Sequence, residues 1–365
     1  MVLTKGDDYP IHQTPDPIAY ASADRNFYDR YFFNGYAPDG SGFFAVAFGV
    51  YPQLDIADTH VSIIRDGTQY NLHASCHQHM ERMALRVGPV EIEVIEPLNQ
   101  LKITIDESEG IAGELIFTGR SAPIEEPRFM HRHGPRTFMD YTRMTQNGHY
   151  TGWLSVDGDR RELAAETMGT RDRSWGIRPV GERDVQAMPS APAPAFFWQW
   201  TPTNLADGSL FFHINADTKG NAWNTRAAWA RDGASQADIV EGRGMLASGN
   251  APGTRWADGG TIALELADGP QTVTLKPMLR FQMKGLGYTH PVWGHGVNHG
   301  PLKIEREDFD LETLDPLAPE NLHVQILCKA TALSDKGASE GLAVFEQLII
   351  GPYEPLGFKE FLDGA

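Results

Sequence analysis

The stretch Met168-Gly-Thr-Arg-Asp172-Arg-Ser-Trp175-Gly-Ile-Arg178 carries a carboxyl, three guanidiniums and an indole within eleven residues. If Gly169 to Ser174 is extended, side chains alternate between faces, so Asp172 shares one with Thr170 and Ser174 while Arg171 and Arg173 take the other. The separation matters because a guanidinium within about 4–6 Å favours the ionised carboxylate and removes it as an acid. Held instead against an aromatic cavity, Asp172 is desolvated and keeps its proton near neutrality. A neutral carboxylic acid can protonate an alkene or polarise a carbonyl. Trp175, with Trp198 or Trp200, would then present a ring face to a developing cation, worth ~2 kcal/mol or more once water is excluded. The competing arrangement pairs Asp172 with Arg171, Arg173 or Arg178 from a neighbouring strand and leaves Trp175 as a plug at a barrel end. The residues alone leave both open.

A second stretch, Gly285 to Gly300, holds five glycines, Tyr288, Trp293 and the histidines His290, His295 and His299. Such a backbone-exposed loop with titratable groups is a common setting for function. His290 or His295 can serve as general base, since imidazole titrates near neutrality. Tyr288 can hydrogen-bond a substrate oxygen, and Trp293 joins the expected substrate wall. Histidines also recur at His73, His77 and His79 around Cys76, and at His131 and His133. On a strand, His-x-His places both imidazoles on one face, as metal ligands require. A metal needs three or four such groups converging, which separate pairs do not show, so no metal is expected. His133 is placed in the substrate cavity, because it precedes the aromatic run Phe138-Met-Asp-Tyr141. Dinucleotide, Walker and nucleophile-elbow motifs are absent, so a nucleotide cofactor is not expected either. Cys76 has no activating context beyond its histidine neighbours.

Short strands must position these groups. Asp-Gly pairs at 39–40, 66–67, 157–158, 207–208, 232–233, 258–259 and 268–269, with Asn34-Gly35 and Asn147-Gly148, read as tight turns. Between them the apolar period is two: Leu101, Ile103 and Ile105 oppose Lys102 and Thr104. Ile262, Leu264 and Leu266, followed by Val273 and Leu275, form a hairpin around Asp268-Gly269. Only Arg160 to Glu166 and Leu356 to Leu362 suggest short helices. An all-β chain follows. Pro and Ala crowd 188–195, read as a linker between a domain at 1–187 and one at 196–365.

Gly169, Asp172, Trp175 and Gly176 spell Gly-x-x-Asp-x-x-Trp-Gly. In this the sequence resembles the carotenoid 1,2-hydratase (hydroxyneurosporene synthase)/AttH-like superfamily of lipocalin-like (calycin) proteins, which carry that signature late in the first of two β domains. Trp198-Gln-Trp200, followed by Asp207-Gly208, resembles the opening of the second. The resemblance implies tandem lipocalin-like β-barrel or β-sandwich domains without a metal requirement. Members of that superfamily hydrate isolated alkenes, shape cycloadditions or have no assigned activity, so the resemblance points toward chemistry at double bonds. The expected function is an acid–base hydratase, dehydratase or isomerase, needing no cofactor, that acts on a double bond of a hydrophobic terpenoid or aromatic molecule. Asp172 would donate the proton, His290 or His295 would accept one, and Tyr288 would position the substrate. The alternatives are a non-catalytic carrier of hydrophobic ligands and a pericyclase-like scaffold.

Composition narrows the partners. The 365 residues carry 31 Lys and Arg against 48 Asp and Glu, a formal charge of −17. Like charge disfavours nucleic acid and anionic membranes, leaving a hydrophobic small molecule as the expected partner and a homodimer open. No signal-peptide pattern and no run of about 18 apolar residues is seen. Two distant cysteines, Cys76 and Cys328, do not make a disulfide framework. A soluble cytoplasmic protein is expected.

Overall fold

The structure, a computed structural model, describes residues 22–183 and 195–365. Residues 188–194 of the expected linker lie outside the described residues. The described residues form 22 β-strands and four 3₁₀ turns. No helix among them is long and apolar enough to cross a membrane.

Two β units result. The first is an antiparallel sheet of 14 strands. At its centre Phe27–Tyr36 lies between Phe43–Tyr51 and Met168–Ile177, and the latter pairs on its far side with the long strand Arg136–Val156. The second is a closed barrel of eight strands that opens with Phe196–Leu205 and ends with Gly337–Ile350. One late segment, Leu302–Asp310, returns to the first sheet and pairs with Thr68–His77.

The alternation read from the sequence is the packing rule. In Gln100–Ser108 the residues Leu101, Ile103 and Ile105 are buried and their neighbours less so. They join Phe44, Phe117 and Tyr150 in the core enclosed by the first sheet. The second barrel is filled by its own side chains, among them Phe212, Trp229, Ile262 and Phe345. A third cluster forms between the two units, where Phe32, Tyr36 and Phe43 of the first sheet meet Trp198, Trp200, Phe211 and Phe281 on the outer face of the barrel.

Several turn expectations need correction. Asp66-Gly67 and Asp157-Gly158 do turn, with φ of 51° and 81° and of 50° and 82°, the left-handed pair of a two-residue hairpin. Asn34-Gly35 and Asn147-Gly148, however, lie inside strands, and Gly35, Gly169 and Gly148 stand abreast on three neighbouring strands. The reason is packing on the core side. A Cβ on Gly35 would sit 2.2 Å from the Phe44 ring, and one on Gly148 2.4 Å from Phe117. Arg160–Glu166 is not helical either, because the Asp157-Gly158 turn sends Asp159–Glu162 back along Trp153–Val156. At the C-terminus only Glu354–Leu356 coils, and it stops at Gly357 with φ of 79°.

Candidate functional site

Register fixes the face on which Asp172 stands. It is opposite Phe32 on one side and Thr145 on the other, and two residues along Ser174 lies between Arg30 and Arg143. Tyr28, Arg30, Phe32, Tyr141, Arg143, Thr145, Asp172 and Ser174 therefore share one face, the one turned toward the second barrel. Arg171 and Arg173 take the opposite side. Arg171 Nε donates to Gln146 Oε1 at 2.8 Å, and Arg173 pairs with Asp29. Trp175 follows the same alternation outward, where it is 40 % exposed. It does not share a face with Asp172, which corrects the expectation that it walls the site.

Asp172 makes no ion pair or side-chain hydrogen bond among the described residues. It keeps some accessible surface although protein surrounds it closely. Burial pushes its carboxyl from 3.8 up to about 7. Glu126 and Glu346 add to the rise, while Arg143 and Arg30 oppose it. The surroundings are thus aromatic and charged together, not the purely apolar chamber that the sequence suggested.

The barrel supplies the opposing wall. Trp200 Nε1 donates to Glu126 Oε1 and Thr145 Oγ1, both at 3.2 Å, and its ring meets Phe32 edge-on. Glu126 also accepts from Arg143 and Thr145. Burial alone would raise this carboxyl, but Arg143, His213 and these hydrogen bonds outweigh it and hold Glu126 below its ordinary value. Trp198 Nε1 donates to Glu346 Oε1 at 2.9 Å. The Arg143 guanidinium lies 4.3 Å from the Trp198 ring centroid, so that ring face already holds a cation. Trp198 and Trp200 pack between the sheet and the barrel here, which corrects their expected role as surfaces for a substrate cation.

Glu346 also orients a histidine that the sequence reading did not single out. His323 Nε2 and Gln325 Nε2 donate to its two oxygens at 2.8 and 2.6 Å. Burial would raise Glu346, but its His323 contact and hydrogen bonds keep it ionised below its ordinary value. His323 Nδ1 is buried without a hydrogen-bond partner among the described residues. With Nε2 carrying the proton, Nδ1 holds a free lone pair, the arrangement of a carboxylate-oriented base.

Tyr288 links this group to the arginines. Its ring meets His323 at 4.8 Å and His295 at 4.6 Å, edge to face in both cases. The Arg30 and Arg178 guanidiniums lie 4.8 and 5.7 Å from its centroid. His295 Nε2 donates to the Leu286 carbonyl at 2.9 Å, so Nδ1 is the acceptor. Both Arg30 Nη1 and Arg178 Nη2 donate to Nδ1, at 2.8 and 2.9 Å, and Arg30 Nη1 also sits against Nε2. Burial and the two guanidiniums push His295 well below its ordinary value. A lone pair held by two cations cannot take a proton, which corrects the expectation of His295 as the base.

His290 is occupied differently. Its Nδ1 accepts from the backbone N–H groups of Val292 and Trp293 at 3.0 and 2.8 Å, and Nε2 donates to Glu307 at 2.8 Å. Neither nitrogen is free, so His290 is not the base. His73, His290 and Glu307 bring one ligand atom each within 4.8 Å of one another. A metal at His290 Nε2 would need the proton moved to Nδ1, against two backbone donors. This group therefore does not offer three ligands as it stands. Trp293 stacks on His73 at 5.3 Å, away from Asp172. His133 lies on the hairpin of Phe129–His133, stacked on Phe138 at 4.4 Å, and does not join the residues around Asp172.

Of the residues singled out by sequence, Asp172, Tyr288, Trp198 and Trp200 meet at the junction, and His295 lies behind Tyr288. Arg30, Arg143, Glu126, Glu346 and His323 were missed. Tyr28-x-Arg30-x-Phe32 and Tyr141-x-Arg143-x-Thr145 do show the alternation that would have found the arginines. A surface groove of about 1120 Å³, lined by Glu125, Arg128, Arg226 and Gly244 among others, reaches Glu126 and so adjoins the site.

The model of a family of unknown function (DUF8625) matches residues 3–359. No curated protein matches the sequence. Among solved structures the chain is similar to CghA, with a TM-score of 0.54 and 10% identity over 89% of this chain and 88% of that one. It is also similar to a putative AttH from Nitrosomonas europaea, with a TM-score of 0.50 and 13% identity over 93% and 98%. Kievitone hydratase from Nectria haematococca gives 0.50 and 10% over 95% of each chain. At such identities the likeness is one of fold, and the fold is the AttH-like, lipocalin-like one that the Gly169–Gly176 motif implied.

Proposed function

The chain belongs to the family of unknown function DUF8625, and we propose that it is an acid–base enzyme acting on a double bond of a hydrophobic small molecule, as a hydratase, dehydratase or isomerase. Asp172 is the proton donor. His323, oriented by Glu346, accepts a proton from water or from the substrate, and Tyr288 positions the substrate between them. One arrangement carries the reading: a carboxyl set beside an aromatic wall and unpaired among the described residues, which burial pushes up to about 7. A pKa near the working pH is what general acid catalysis requires. The name of kievitone hydratase and the capture of CghA with Sch210972 support small-molecule chemistry on this fold.

The test uses whatever lipophilic molecule copurifies with the chain, identified by mass spectrometry and incubated with the protein in D₂O. Wild type should yield product with deuterium on carbon if it hydrates or isomerises, and product lighter by one water if it dehydrates. Asp172→Asn should yield none, without loss of thermal stability. Labelled product from Asp172→Asn at the wild-type rate would remove Asp172 as the donor. Retention of the molecule unchanged by both proteins would favour the carrier, and an unlabelled product of unchanged mass would favour the pericyclase-like scaffold.

A further inference from the structure

The charges beside Asp172 are not alike. Arg143 has a carboxylate partner in Glu126. Arg30 and Arg178 have none within ion-pairing distance among the described residues. Arg30 is 1 % exposed, and its Nη2 donates to the Leu286 carbonyl at 2.9 Å. The Nε groups of both arginines are buried without a hydrogen-bond partner among the described residues. Asp58 feels the charge of both, but its oxygens are taken by the Tyr51 hydroxyl at 3.0 Å and the Gly296 N–H at 2.7 Å.

Burying an uncompensated guanidinium is costly, and a natural chain ordinarily supplies a counter-charge. Here two converge on one neutral imidazole, flanked by the rings of Tyr28 and Tyr288. A guanidinium fork matches a planar oxyanion in a bidentate manner. The same charges oppose a carbocation and favour negative charge building on a substrate oxygen.

We propose that Arg30 and Arg178, with Tyr288, form a subsite for a planar oxyanion of the substrate, a carboxylate or enolate conjugated with the reacting double bond. This deepens the proposed function and rests on it for the neighbouring chemistry, whereas binding is measured without turnover. The substrate is then an aromatic or polyene acid, and the arginines hold its oxygens while Asp172 faces its carbon–carbon double bond.

The full chain is titrated calorimetrically with trans-cinnamate and with trans-cinnamamide, which differ in charge but hardly in shape. Wild type should bind the carboxylate at least about tenfold more tightly than the amide, the usual gain from charge-assisted pairing. Arg178→Gln should erase that preference and Arg178→Lys restore part of it, with circular dichroism melts confirming folded protein. Should the Gln variant not fold, added NaCl decides in wild type, weakening cinnamate and leaving cinnamamide unchanged. Equal affinities in wild type, an undiminished preference in Arg178→Gln, or a cinnamate affinity insensitive to salt would overturn the subsite. Asp172→Asn should keep the preference, so loss of the acid–base reading and loss of this one give different results.

Discussion

Replacing Asp172 by Asn should stabilise the protein at alkaline pH. In the unfolded chain the carboxyl titrates at its ordinary value, whereas in the fold it holds its proton to about pH 7. Below about pH 4 both states carry the proton. Between there and 7 only the folded state does, so this group's contribution to stability falls as pH rises and is lost above the folded value. At about 1.4 kcal/mol per pH unit, ionising Asp172 in the fold costs up to about 4 kcal/mol by pH 8.5. The isosteric amide cannot ionise and escapes that cost. Urea unfolding of both proteins at about pH 4, 6 and 8.5 therefore should show near-equal stability at the lowest pH and a growing advantage for Asp172→Asn above it. All other titrating groups are common to both and cancel. A variant less stable than wild type at every pH would refute the reasoning, since it would mean that the ionised carboxylate holds a structural partner.

Three further outcomes test the geometry. Glu126→Gln strips the buried Arg143 of its carboxylate and should cost about 3–5 kcal/mol in chemical unfolding. Gly169→Ala would place a Cβ 2.0 Å from the Asn34 carbonyl and 2.7 Å from the Tyr150 ring, and its melting temperature should fall by the equivalent of about 1–3 kcal/mol. Trp175→Ala, on the opposite face of the strand, should cost only roughly 1 kcal/mol and leave the Asp172 titration where it was; a moved titration would return Trp175 to the site.

Strand alternation made much of this legible. The pattern that turns Asp172 toward the barrel and Arg171 and Arg173 away from it needs only the assumption of an extended chain. That same pattern also turns Trp175 outward, so the two could not line one recess. The base was less legible. His290 and His295 sit in a glycine-rich loop of promising composition, but what decides their chemistry is who holds their lone pairs. For His295 the holders are Arg30 and Arg178, more than a hundred residues away in sequence. His323 shows no local signal, because its partner Glu346 lies on the next strand, across the last hairpin. Asn34-Gly35 and Asn147-Gly148 look like turns locally and are overruled by the rings of Phe44 and Phe117.

The most direct measurement is the titration of Asp172 itself, by ¹³C NMR of chain labelled at aspartate Cγ, with Asp172→Asn for assignment. A carboxyl resonance with its midpoint near 7 should appear in wild type and vanish in the variant, while the buried Asp58, pushed up to about 6, should titrate in both. If the resonance lost on substitution titrates at or below about 4, the proton is already gone at neutral pH and Asp172 is no acid.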